Sequence, residues 1–214
     1  MDLPDGLAFR LLSASTLAAD EVIATLSAAE RERMAAFPIE KRRREFALGR
    51  AALRLLLAEC FGGRPEEQPL RIDDDHAVVL EGRPGAVSIA HSGDRAVAAY
   101  HAGGPVGADV ERIQPRHPGL SRFLLHESER ALIAGPDSDA ALILIWTLKE
   151  AVLKGLRTGF RVSPKQIVIR LEEAPGRAEA FVAGQHSWQV RFIKDGDYFA
   201  SVAFPSLAGP SFPR

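Results

Sequence analysis

Trp146-Thr-Leu-Lys149-Glu150-Ala-Val-Leu-Lys154 is the stretch from which the rest of the chain can be read. Its apolar spacing predicts one helix from about Ala140 to Leu156. At about 100° per residue, Leu142, Leu144, Ile145, Leu148, Val152, Leu153 and Leu156 share one broad apolar arc. Trp146, Glu150, Lys154 and Arg157 share the narrow opposite arc. Glu150 and Lys154 are one turn apart, which on its own describes a solvated bridge worth roughly 0.2–0.5 kcal/mol. A second acidic pair upstream, Asp109 and Glu111, gives the helix pair more weight.

That second pair lies in Val106-Gly-Ala-Asp109-Val-Glu111, which alternates as a strand. Val106, Ala108 and Val110 point one way, and Gly107, Asp109 and Glu111 the other. Residues i and i+2 on a strand are roughly 6.5–7 Å apart, so both carboxylates can reach a single cation. A lone Asp-x-Glu is more often a solvated strand face.

Working outward, Leu7–Ser13 reads as a strand and Thr16 or Ser15 as the cap of a helix to Leu26. Ser27-Ala-Ala-Glu30 is a capping-box pattern opening a helix to about Phe37. A long helix follows from Ile39 to Phe61, stopped by Gly62–Gly63. It carries Lys41, Arg42, Arg43, Arg44, Arg50 and Arg54 among apolar residues. Cations on a helix apolar nearly all round want partners: either Glu40 and Glu45, or a phosphate. Residues 64–75 read as a loop and Ala77–Leu80 as a short strand. Val87–His91, Ala96–His101 and Val106–Glu111 then suggest a three-strand meander with a turn at Ser92–Gly93–Asp94. Ser121–Ala134 reads as a helix. After the central helix, with Gly155 and Gly159 fraying its end, four strands follow: Ile167–Leu171, Ala178–Ala183, Trp188–Ile193 and Phe199–Phe204. The tail from Pro205 is expected to be loose. The order of helices and strands occurs twice. The expected class is α+β in two similar subdomains, 1–104 and 105–214.

The chain has 214 residues, 46% hydrophobic and 26% charged, with net charge −1. No global field favours nucleic acid or an anionic membrane, so neither partner is expected. No apolar run reaches the roughly 18 residues of a membrane span. The first residues lack the basic start and apolar centre of a secretory signal, so a cytoplasmic location is expected. The single cysteine, Cys60, rules out an internal disulfide and is expected as a small buried thiol.

Asp109, Glu111 and Glu150 supply three carboxylates from two elements. With no Cys cluster and no HxxxH spacing, oxygen donors point to Mg²⁺ and not Zn²⁺. Such an ion commonly serves phosphoryl transfer, and the basic helix, Arg83 and Lys154 could supply further phosphate partners.

The two motifs together resemble the paired signature of the 4′-phosphopantetheinyl transferases, roughly G-[IV]-D-[IV]-E and then W-x-x-K-E-[AS]-x-x-K. Phe123-Leu-Leu-His126-Glu-Ser-Glu129 resembles the family's segment between them. Gly82-Arg83-Pro84, Ile89-Ala90-His91-Ser92 and Arg43-Arg44-Glu45-Phe46-Ala47-Leu48-Gly49-Arg50 resemble its upstream elements. The length resembles the monomeric, surfactin-synthetase-activating branch. The resemblance implies subdomains related by a pseudo-twofold axis, with coenzyme A and Mg²⁺ in the cleft between them. It implies transfer of 4′-phosphopantetheine from coenzyme A to a serine of an acyl or peptidyl carrier protein, releasing 3′,5′-ADP. By position, Asp109, Glu111 and Glu150 would bind Mg²⁺, Glu150 would act as base, and Lys154 would neutralise or protonate the leaving group. Arg83, His91 and one or both of Arg43 and Arg44 would hold nucleotide phosphates. Departures are Ala90 for a common Ser, Ala108 for a larger residue, and Glu30 where a Lys is common. The alternatives are a non-catalytic coenzyme A- or carrier-binding module of the same fold, and an unrelated Mg²⁺-dependent phosphohydrolase such as a nuclease.

Overall fold

The computed structural model describes residues 1–75, 77–117, 119–157, 162–183 and 187–206. The chain forms two compact units, one of Pro4–Gly104 and one of Pro105–Arg214 that also takes Met1–Leu3. Asp2 belongs with the second unit because Arg177 donates to its carboxylate at 2.6 Å.

In the N-terminal unit, β1 (Leu7–Ser13) is followed by α1 (Ala19–Ala24), α2 (Ala28–Ala35) and α3 (Glu40–Phe61). The capping box opens α2 as the pattern predicts: Ser27 N donates to Glu30 at 3.0 Å, and Glu30 N donates back to Ser27 Oγ at 3.3 Å. Helix α3 ends where Gly62 and Gly63 take φ of 74° and 79°, a region closed to most side chains. β2 (Leu70–Ile72) and β3 (Val78–Leu80) form a separate ribbon. β4 (Ala86–Ser92) and β5 (Arg95–His101) form a hairpin, and β1 pairs on the other side of β5. Small residues on both elements, Ala51 and Ala52 of α3 and Ala96 and Ala98 of β5, let the helix lie close on this sheet.

The C-terminal unit opens with β6 (Gly107–Arg112), α4 (Gly119–Leu124) and α5 (Ser138–Leu156). β7 (Ile167–Leu171), β8 (Arg177–Val182), β9 (Trp188–Asp195) and β10 (Tyr198–Pro205) follow. All pairings are antiparallel, in the order β6-β10-β9-β8-β7. Helix α5 packs over β6 and β10, burying Ile145, Leu148, Ala151 and Val152. Each unit therefore sets one long helix on an antiparallel sheet, which makes the chain α+β.

Several expectations fail for physical reasons. The three-strand meander stops at two strands: after Gly103, Gly104 and Pro105 the chain leaves the first sheet, and β6 pairs with β10. The helix expected over Ser121–Ala134 breaks into α4 and a 3₁₀ segment, Glu127–Ile133, because Glu129 folds back to accept from His126 N at 2.8 Å. The loop over 64–75 contains β2 and a 3₁₀ turn at Pro65–Glu67. Cys60 is exposed, not buried, since it stands in the last turn of α3 beyond the packed stretch. Arg157 caps α5 with φ 54°; Gly159 and residues 207–214 of the tail lie outside the described residues.

Candidate active site

Two glycines set the distance between β6 and α5. A Cβ on Gly107 would lie 1.8 Å from Ala151 O and 2.4 Å from Gly155 N. On Gly155 it would lie 2.4 Å from the Trp188 ring. The backbones can approach this closely only because neither position carries a side chain. A polar link fixes the sliding register. Ser201 stands opposite Asp109 in the β10–β6 ladder, and its hydroxyl donates to Thr147 O of α5 at 3.0 Å.

This seam brings all four predicted residues of the C-terminal unit into electrostatic reach. Lys154 donates to Asp109 Oδ1 at 2.6 Å, so its ammonium turns across to the strand. Asp109 is only 4% exposed, and its Oδ2 is buried with no hydrogen-bond partner among the described residues. Burial raises the Asp109 carboxyl to about 7; Lys154 pulls against this, while Glu111 and Glu150 push it further up. Glu150, half-buried, is raised for the same first reason, opposed by Lys154 and supported by Glu111. Glu111 accepts from Arg116 Nη2 at 2.6 Å.

Among the described residues no group of three His, Cys, Asp or Glu side chains is preassembled to hold a metal. Lys154 and Arg116 stand on two of the three carboxylates instead. The donor set nevertheless suits a hard cation. It offers oxygens only, from mutually repelling carboxylates, with an orphaned buried oxygen on Asp109.

Sequence reasoning missed the group beside Glu150. Lys149 is fully buried and donates to Glu129 Oε2 (2.6 Å), Leu124 O (2.9 Å) and Pro164 O (3.1 Å). Glu129, 1% exposed, also accepts from Ile169 N at 2.7 Å and His126 N at 2.8 Å. This knot ties α4, the 3₁₀ segment and β7 to α5 at the residue next to Glu150. The signal was present: Lys149 falls one turn from Ile145 and Leu153, inside the apolar arc, where an unpaired ammonium could not stay.

The predicted phosphate ligands belong to the N-terminal unit and divide into two places. Arg43 and Arg44 pair with Glu40 at 3.2 and 2.9 Å in the first turn of α3. His91 at the end of β4 lies 3.9 Å from Glu45, one turn along. Arg83 does not join them. Its guanidinium lies 4.6 Å over the Phe61 ring, at the far end of α3, about 26 Å away by helical rise. Arg50 and Arg54, two of the cations expected to want partners, are buried against Glu30. Arg54 also donates to Pro65 O and Gln68 O at 3.0 and 3.1 Å. Glu30, an oddity in the motif comparison, is therefore the counter-ion of two buried arginines.

Two family models match. Residues 105–203 match that of the 4′-phosphopantetheinyl transferase superfamily, and residues 30–101 that of the 4′-phosphopantetheinyl transferase N-terminal domain. The chain belongs to the 4′-phosphopantetheinyl transferase superfamily. A similar protein of the family is 4′-phosphopantetheinyl transferase HetI of Nostoc sp., 30% identical over 148 residues. The match takes in 65% of this chain and 62% of HetI, less than two thirds of that relative's length. Among solved structures, Thermotoga maritima holo-[acyl-carrier-protein] synthase matches at TM-score 0.39 and 22% identity, over 46% of this chain and 61% of that one. Holo-ACP-synthase from Plasmodium yoelii matches at TM-score 0.39 and 14% identity, over 46% of this chain and 91% of that one. The superfamily match covers all four acidic and basic residues of the seam, and the N-terminal match covers Arg43, Arg44, Arg83 and His91.

Proposed function

We propose that this chain transfers 4′-phosphopantetheine from coenzyme A to a serine hydroxyl of an apo carrier protein, releasing 3′,5′-ADP. The observation that carries the reading is the Asp109–Glu111–Glu150–Lys154 group across the glycine seam, in a member of this superfamily. Asp109, Glu111 and Glu150 would hold Mg²⁺, which when bound neutralises pyrophosphate oxygens. Glu150 accepts the serine proton as the hydroxyl oxygen forms its bond to the pantetheine-bearing phosphorus. Its raised carboxyl is a stronger base than a free one. The pyrophosphate P–O bond breaks, and the charge of Lys154 offsets the negative charge on the departing 3′,5′-ADP. Arg43, Arg44 and His91 are the proposed phosphate partners in the N-terminal unit. The position of Arg83 on Phe61 separates it from that group.

In this reading the active species is a monomer, and no helix among the described residues is long and apolar enough to cross a membrane. Chromatographic assay of 3′,5′-ADP tests the activity. Release should require coenzyme A, Mg²⁺ and an apo carrier protein together, and should fall by at least about a hundredfold in Glu150→Gln. Release that continues without the carrier would instead indicate a hydrolase.

A further inference from the structure

The seam carboxylates are not bare. Lys154 stands on Asp109, and Arg116 on Glu111, each at 2.6 Å. The two cations differ in how they are held. Lys154 comes from the last turn of a packed helix and serves a carboxylate that is almost wholly buried. Arg116 comes from the segment after β6, outside any helix or strand, and both it and Glu111 keep part of their surface in water, with side chains 31% and 22% exposed. Arg116 is also poorly satisfied: its Nε is buried and has no hydrogen-bond partner among the described residues. A guanidinium with an unused buried N–H beside an acidic pair is suited to a better, bidentate anion such as a phosphate.

We propose that Arg116 is a resident counter-ion that surrenders Glu111 when the acidic pair takes up a divalent cation, and then pairs with a phosphate of the bound ligand. The proposal rests on the functional reading above and adds a residue that its motifs do not contain. It accounts for why no three acidic groups are preassembled among the described residues: one of the oxygens a metal would need is held by an arginine. No covalent step is involved; one ion pair is exchanged for two.

The test uses Mn²⁺ as probe for this chain free of ligands, titrated by electron paramagnetic resonance or calorimetry. Wild type, Arg116→Gln, Arg116→Lys and Glu111→Gln are compared, with matching melting curves showing that each is folded. A partly exposed pair competes weakly, so Arg116→Gln should bind Mn²⁺ about two- to fivefold tighter than wild type in the absence of coenzyme A. Arg116→Lys, which restores a cation, should return toward wild type. At saturating Mn²⁺, Arg116→Gln should bind coenzyme A about tenfold more weakly. Equal or weaker Mn²⁺ binding in Arg116→Gln overturns the proposal, as does unchanged coenzyme A affinity. Glu111→Gln separates the two levels. If it leaves Mn²⁺ affinity unchanged, the metal reading itself falls and Arg116 with it; if it weakens Mn²⁺ while Arg116→Gln has no effect, only the exchange is refuted.

Discussion

Replacing Lys149 by Met should cost far more stability than any exposed charge change in this chain. All three ammonium donors are used inside the protein, on Glu129, Leu124 O and Pro164 O, and the residue has no exposed surface. Met keeps most of the packed stem but strands a buried carboxylate and leaves two carbonyls without their donor. Breaking a buried ion pair from one side costs about 3–5 kcal/mol. For a chain of this size that corresponds to a fall of roughly 6–20 °C in the midpoint of the transition carrying the C-terminal unit. Glu129→Gln alone leaves the lysine charge without its carboxylate and replaces one of the two accepting oxygens by an NH2 donor among N–H donors, so it should cost a similar amount. The double variant carries no uncompensated charge and should be more stable than the two single losses added together, by at least about 1 kcal/mol. Thermal melts followed by circular dichroism on all four proteins check this. A Lys149→Met midpoint within about 2 °C of wild type, or strictly additive losses, would refute the pair as the anchor of α5.

Other consequences are direct. Gly107→Ala places a Cβ 1.8 Å from Ala151 O, so α5 must move; transferase activity should drop at least about a hundredfold, read in the 3′,5′-ADP assay. With metal chelated, the raised Asp109 pKa means that the folded state holds a proton the unfolded state has lost between its ordinary value, 3.8, and about 7. Stability from this group therefore falls as pH rises through that window, by at most roughly 4 kcal/mol, and denaturant melts of Asp109→Asn should show a flatter pH dependence than wild type. Glu30→Ala leaves Arg50 and Arg54 buried without their carboxylate and should destabilise the N-terminal unit by about 3–5 kcal/mol, measurable in the same melts.

The seam was legible because periodicity carries direction. Period two put Asp109 and Glu111 on one face with Gly107, and period 3.6 put Glu150 and Lys154 on one arc of α5; the fold then opposes those faces. The turns at Gly62 and Gly93, both with positive φ, were readable for a different reason: only glycine takes such values cheaply. What remained hidden depends on contacts between distant segments. Nothing in the local pattern of Val106–Glu111 says that its partner is β10, a strand formed near the far end of the chain, and not its sequence neighbour β5. The break between α4 and the 3₁₀ segment follows from Glu129 folding back on His126 N, a place where it also meets the distant Lys149, and the burial of Arg50 and Arg54 follows from Glu30 on another helix. Cys60 misled because apolar neighbours do not say whether the last turn of a helix is covered. Arg116 lies in a segment with no periodicity, and only its place beside Glu111 reveals it.

The central claim is that the seam transfers phosphopantetheine, and intact-mass spectrometry of an apo carrier protein tests it most directly. The carrier is incubated with this chain and coenzyme A, with Mg²⁺ or with chelator, beside the Glu150→Ala variant. The account predicts a gain of one phosphopantetheine group with Mg²⁺, and none with chelator or with the variant. No gain on several different apo carriers, from a folded chain that binds coenzyme A, would contradict it and leave a coenzyme A-binding module of the same fold.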